Sequence, residues 1–193
     1  MSNKRAVCSD CQRPLARCMC RYIVPTANHC RVLLLQHPKE NGHPKNTGEL
    51  LWRSLQHCEL KVAEQFSLSE LSPWLPGATL LYPTEKSDKP AYSDGLSQSH
   101  APDKLIVIDA TWRKSLKMLH LNPALLDLPR IQLADHLCGN YRVRTAKKHH
   151  QLSTLEASCY ALQQIESNQS LYEPLLEQFD HYMTHLANFD PNR

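Results

Sequence analysis

Four short apolar runs punctuate the chain: RVLLLQ (31–36), TLLY (79–82), LIVI (105–108) and RIQL (130–133). LIVI runs on without alternating, the pattern of a strand buried on both faces of a sheet, TLLY reads as another short buried strand, and RVLLLQ and RIQL read as strands. Between and after them, apolar positions recur at helical spacing. From Thr47, Leu50, Leu51, Ser54, Leu55 and Cys58 share one face, with Thr47 expected as the N-cap. Leu116, Leu119 and Leu121 mark a second helix that Pro123 helps to end. LSTLEASCYALQQI (152–165) opens with Ser153 or Thr154 as a cap and Glu156 near the third helical position. A last amphipathic helix covers Tyr172 to Leu186. HPKENGHPKN (37–46) and the polar stretch from Pro83 to Asp103 read as loops. Strands alternating with helices predict an α/β fold, a mostly parallel sheet with flanking helices.

LIVI ends in Asp109, with Thr111 and Trp112 directly after. In open α/β sheets, ligands bind beyond the carboxyl ends of the strands. Asp109, Thr111 and Trp112 therefore form either part of a site or only a turn and a helix cap.

A length of 193 residues suits one main domain with a small appendage. Ordinary apolar and charged content places the chain among globular proteins. No apolar run approaches the roughly 20 residues of a membrane span. The first residues, MSNKRAVCSDC, have no signal-peptide character, so a cytoplasmic protein is expected. In that reducing compartment eight cysteines are thiols or metal ligands before they are disulfides. Four of them, Cys8, Cys11, Cys18 and Cys20, follow the spacing C-x2-C-x6-C-x1-C. This clustering predicts a structural Zn²⁺ site of four thiolates in an N-terminal segment, 1–30, with the main domain at 31–193. Cys30, Cys58, Cys138 and Cys159 are scattered and read as small buried hydrophobes.

Net charge is +3, but its distribution says more. Residues 1–31 carry six Lys and Arg against Asp10 alone, and YRVRTAKKHHQ (141–151) is a second basic run. Basic segments at two places suit a polyanionic partner, nucleic acid first, or serve only solubility. G-x-G-x-x-G, G-x-x-x-x-G-K-[ST], G-x-S-x-G and H-E-x-x-H are all absent. Rossmann, P-loop, hydrolase and zinc-protease readings lose their signatures with them.

IDATW (108–112) matches the D-x-T-W signature of the DTW-domain proteins. HPKE (37–40), NTGELL (46–51), LLYPTE (80–85), RVRTAKKHHQLSTLEA (142–157) and the Cys-rich head follow in that family's order. The chain most resembles the bacterial tRNA-uridine aminocarboxypropyltransferases over Cys8 to Leu162. Ala110 stands where the family commonly has glycine, and Thr145-Ala146 where related chains often place a proline. The resemblance implies a SPOUT-like α/β fold with a knotted cofactor-binding end. It implies transfer of the 3-amino-3-carboxypropyl group of S-adenosyl-L-methionine to N3 of a tRNA uridine, releasing methylthioadenosine. On it Asp109 becomes the candidate general base, with helix capping as its other reading. Thr111 binds the cofactor carboxylate or caps the helix, and Trp112 stacks on a base or anchors the helix in the core. Leu81, Tyr82, Pro83, Ser153, Thr154 and Glu156 are candidate cofactor contacts, with turn and capping roles as the plain alternative. Arg142, Arg144, Lys147 and Lys148 would hold tRNA phosphates. The oligomeric state is not legible, with a monomer favoured. A non-catalytic zinc RNA-binding module and a SPOUT-type methyltransferase are the competing readings.

Overall fold

A computed structural model describes residues 6–43, 46–83, 101–133 and 152–189. Five strands form one sheet: β1 (Arg31–Gln36), β2 (Cys58–Val62), β3 (Ala78–Leu81), β4 (Lys104–Asp109) and β5 (Arg130–Ile131). Their order is β2-β1-β4-β3-β5, and every pairing is parallel. The helices are α1 (Gly48–Ser54), α2 (Leu68–Leu71), α3 (Trp112–Leu121), α4 (Thr154–Glu166) and α5 (Glu173–Ala187).

The unbroken apolar runs of β1 and β4 have the expected cause, because both faces of the sheet are covered. Val32, Leu34, Leu105 and Val107 pack on one side against Leu50 and Leu51 of α1, Leu155 and Leu162 of α4, and Phe179 of α5. Leu33, Leu35 and Ile106 point the other way, onto Met118 and Leu119 of α3 and onto Phe66, Leu71 and Trp74. Cys11, Met19 and Tyr22 of the N-terminal head belong to the first of these cores, so head and sheet share one apolar interior.

Several elements differ from expectation. The first helix stops at Ser54, and Cys58 instead opens β2. CELKV alternates apolar and polar residues, as an edge strand with one buried face does, and Leu60 pairs with Leu34. Thr47 holds the N-cap position but its side chain makes no cap hydrogen bond. Asn46 does that work, its Oδ1 accepting from the Glu49 N–H at 2.9 Å. The strand expected over 130–133 is only two residues long. On α3, Leu116 is 50 % exposed while Ser115, Met118 and Leu119 turn inward. The short α2 has no run of periodicity long enough to mark it, only a capping box between Ser67 and Glu70. Cys30 and Cys159 are buried as expected, Cys58 is half-buried, and Cys138 lies outside the described residues. Burial pushes the Cys30 and Cys58 thiols up to about 12, which suits inert packing groups.

From β1 the chain winds toward the β2 edge, and from β4 it winds toward β5 at the other edge. The switch point of this sheet therefore lies between β1 and β4. A crevice is expected beyond their carboxyl ends.

Candidate active site

β1 and β4 both end in a polar residue, and the register sets those two residues side by side, Gln36 opposite Asp109. Asp109 is 4 % exposed, yet it carries a carboxylate. A buried carboxylate must be surrounded by donors. Its Oδ2 accepts from Gln36 Nε2 at 2.8 Å and Asn46 Nδ2 at 2.6 Å, and its Oδ1 accepts from the Thr154 hydroxyl at 2.7 Å. The amide of Asn46 has only one workable orientation. Its oxygen caps α1 through the Glu49 N–H, which leaves its NH₂ for Asp109.

Thr154 is the first residue of α4 and Gly48 the first of α1, so the carboxylate meets the N-terminal ends of two helices. Both helix dipoles favour a negative charge there. Gly48 makes the approach possible, since a Cβ on it would lie 2.8 Å from the Asp109 Cγ. Asp109 does not cap α3. Thr111 occupies that N-cap position, and its hydroxyl makes no cap hydrogen bond.

Thr154 thus comes directly to Asp109, and Ser153 forms the neighbouring capping box. Ser153 Oγ accepts from the Glu156 N–H at 3.2 Å, and the Glu156 carboxylate accepts from the Ser153 N–H at 2.8 Å. Glu156 is thereby buried as a cap, while the Thr154 and Leu155 N–H groups lie in the first turn of a helix of 13 residues.

A second group gathers at the carboxyl end of β3. Leu81 pairs with Val107, and Tyr82 follows just past the strand. The Tyr82 hydroxyl lies 3.2 Å from Ser115 Oγ, which fastens it to the first turn of α3. Its ring meets Trp112 edge-on with centroids 5.9 Å apart, and the Arg130 guanidinium lies 5.6 Å from the Tyr82 centroid. Arg130 also donates to the Pro83 carbonyl at 3.1 Å. Trp112 is 55 % exposed, so the core-anchor reading does not hold. The helix turns Met118 and Leu119 inward instead.

The HPKE stretch frames the other side. His37 donates its backbone N–H to the Asp109 carbonyl at 3.1 Å. Its Nδ1 accepts from the Lys39 N–H at 3.0 Å, which leaves Nε2 to donate to Glu64 at 2.7 Å. Lys117 hydrogen-bonds Glu64 as well and, with His37, holds that carboxyl below its ordinary range against the opposing effect of burial. Lys114 reaches the buried Glu40 at 2.8 Å. Two cations of α3 are therefore spent on fixing this loop.

In the head, Cys8, Cys11, Cys18 and Cys20 place all four sulfurs within 4.8 Å of one another, and could hold a metal ion. Cys8 and Cys20 are 3.7 Å apart, as are Cys11 and Cys18. Four sulfurs on a tetrahedral zinc with bonds near 2.3 Å would sit about 3.8 Å apart, so the donor set fits. The backbone is built for this. Gln12 takes a left-handed φ of 55°, its N–H returns to the Cys8 carbonyl at 3.1 Å, and Val7 bridges to Pro14. Backbone N–H groups of Cys11 and Asp10 hold the Cys8 thiol down at about 7, whereas burial pushes Cys18 and Cys20 up. Arg142, Arg144, Lys147 and Lys148 lie outside the described residues. No helix among the described residues is long and apolar enough to cross a membrane.

Sequence reasoning missed Gln36, Asn46 and Gly48. The signal for Gln36 was present, because a polar residue ends an otherwise apolar strand as Asp109 does. The NTGELL match (46–51) covered Asn46 and Gly48 without assigning them a role, because they matter only where α1 meets β4.

The fold and site define an α/β protein with a parallel sheet, a buried aspartate at its switch point, and a four-cysteine knuckle. The chain belongs to the DTW family, whose domain model matches residues 5–187. It is 30 % identical to tRNA-uridine aminocarboxypropyltransferase 2 of Mus musculus over 193 residues, covering 91 % of this chain and 61 % of that protein. It is 29 % identical to the Drosophila melanogaster protein of the same name over 184 residues, covering 90 % and 72 %. With tRNA-uridine aminocarboxypropyltransferase A of Arabidopsis thaliana it shares 28 % identity over 145 residues, 64 % and 54 % of the two chains. The chain therefore spans about 61 % of the length of the mouse relative. No solved structure matches it.

Gly48→Ala should displace the Asp109 carboxylate and lower stability by roughly 1–3 kcal/mol, the usual cost of overpacking a tight contact. Denaturant melts check this. A wild-type midpoint would mean that α1 and β4 do not meet as closely as described.

Proposed function

We propose that the chain is a tRNA-modifying transferase that moves the 3-amino-3-carboxypropyl group of S-adenosyl-L-methionine to N3 of a tRNA uridine. The observation that carries this reading is the position of the family's signature. Asp109, Thr111 and Trp112 lie at the switch point of a parallel sheet, beside the N-terminus of α4. The names of the relatives agree with it. Their greater length leaves the activity of this chain to experiment.

The co-substrate, when bound, supplies an alkyl carbon already activated by its sulfonium. The protein has then to position two reactants and remove one proton. A carboxylate offers about four acceptor positions. Oδ2 of Asp109 already serves two amides, while among the described residues Oδ1 serves only Thr154. Oδ1 is thus the oxygen with capacity to take the uracil N3 proton as the new N–C bond forms and the C–S bond breaks to leave a neutral thioether. The first-turn N–H groups of Thr154 and Leu155, with the Thr111 hydroxyl, suit the carboxylate of the transferred group. Ser153 and Glu156 hold that turn in shape. Leu81, Tyr82 and Pro83 border the cofactor side, and the exposed face of Trp112 suits stacking on a base, worth about 1–3 kcal/mol. A SPOUT-like knotted end belongs to the same proposal, supported by the return of α4 to the strand ends. The basic run 141–151 leads directly into α4 and supplies Arg142, Arg144, Lys147 and Lys148 for tRNA phosphates. The metal of the head is proposed to be a structural zinc with no open position, within a segment 1–30 that stiffens the catalytic domain 31–193.

Three outcomes test this. Incubation with unmodified tRNA should yield methylthioadenosine, and Asp109→Asn should bind both substrates while losing about 10²–10⁴-fold in single-turnover rate. Adenosylhomocysteine as product would mean methylation, neither product a binding module, and a wild-type rate for Asp109→Asn a purely structural aspartate.

Metal analysis should find about one zinc per chain, bound more tightly as pH rises because the thiols must lose protons. Cys18→Ser should abolish it, and an ordered head without metal would overturn the zinc assignment.

Reversing Arg142 and Arg144 to glutamate should weaken tRNA binding and flatten its dependence on salt, with cofactor affinity unchanged. Undiminished tRNA affinity would reduce the run to a solvated surface.

A further inference from the structure

Arg13 lies between the two cysteine pairs of the head and is only 5 % exposed. Its backbone belongs to the knuckle, since the Arg13 carbonyl accepts from the Cys8 N–H at 2.8 Å. Its side chain leaves the knuckle and enters the core. Nη1 donates to the Tyr182 hydroxyl of α5 at 2.9 Å. Nη2 donates to Glu49 Oε2 at 3.2 Å and to the Asn46 carbonyl at 3.4 Å. Burial pushes the Tyr182 phenol up to about 12, so it remains a neutral acceptor. A guanidinium alone among side chains can span acceptors on α5, on α1 and on the residue that caps α1.

Those last two acceptors belong to the residue that carries the amide facing Asp109 and to the residue whose backbone holds it. The Glu49 N–H holds Asn46 Oδ1, and the other end of that amide donates to Asp109 Oδ2 at 2.6 Å. Arg53 grips the opposite oxygen of Glu49 at 2.9 Å and reaches back to the Asp10 carbonyl of the knuckle at 3.1 Å. The knuckle thus holds the first turn of α1 from two sides.

We propose that Arg13 is a positioning residue through which the metal-stiffened knuckle sets the Asn46 amide and, with it, the Asp109 carboxylate. Loss of the metal would then act on the crevice through the start of α1. The consequence for rate rests on the catalytic reading of Asp109, whereas the mechanical link does not.

Arg13→Lys keeps the charge but cannot reach three acceptors at once. The holoprotein variant should retain its full metal content while amide hydrogen exchange at residues 48–51 accelerates. Its single-turnover rate should fall about ten- to a hundred-fold, as expected for a displaced reactive group, with KM for tRNA and cofactor little changed. Asn46→Ala should slow transfer similarly, and the double variant should be no slower than the slower single one. Unchanged exchange at 48–51, loss of metal from Arg13→Lys, or rate losses that multiply in the double variant would each overturn the proposal. Full activity of Asp109→Asn would remove the catalytic reading alone, since the exchange and metal measurements require no turnover.

Discussion

The architecture turns on one buried negative charge. Asp109 closes the central strand β4 with its carboxylate out of water, and so obliges the chain to bring donors from three other elements. Gln36 comes from the end of β1, Asn46 from the cap of α1, and Thr154 from the first turn of α4. Each hydrogen bond to a charged group contributes roughly 1.5–3 kcal/mol, and a donor stranded by its loss costs a further similar amount. Such a centre tolerates little relative movement of the four elements.

Around this centre the two faces of the sheet have different tasks. One carries α1, α4, α5 and the cysteine knuckle, and the cap of α1 and the first turn of α4 supply two of the donors to Asp109. The other carries α3, whose inward side packs on the sheet while its first turn presents Trp112 beside Tyr82. Lys114 and Lys117 of the same helix are committed to Glu40 and Glu64. Lys114 ties the stretch after β1 to α3, and Lys117 reaches the same stretch through Glu64, which His37 also meets. The run 141–151 is the densest stretch of positive charge in the sequence.

Much of this was legible in the sequence. Continuous apolar runs in β1 and β4 mean burial on both faces, which in turn means parallel strands between helices. Cysteines at C-x2-C-x6-C-x1-C mark a cluster that could hold a metal ion, because unrelated buried thiols seldom gather so tightly. Ser153 and Glu156 spell a capping box within four residues, and it formed. These features are local: spacing, periodicity and cap chemistry are all carried by neighbours along the chain.

What only the tertiary structure decided is how distant residues share one atom. The first helix was read through Cys58 because its leucines continued the period, but pairing of Leu60 with Leu34 turned that residue into the start of β2. Asn46 and Gly48 look like ordinary loop and helix-start residues until Asp109, more than sixty positions away, arrives beside them. Trp112, read first as a core anchor of the helix, is kept out of the core by the orientation of α3, which buries Met118 and Leu119 and leaves the indole half in solvent. Arg13 reads as one more basic residue of a charged head, yet it is buried among acceptors from α1 and α5. Composition and periodicity determine which segments must be buried. Which polar groups must then meet inside is decided by the crossing of those segments, because a buried charge is satisfied in space and not along the chain.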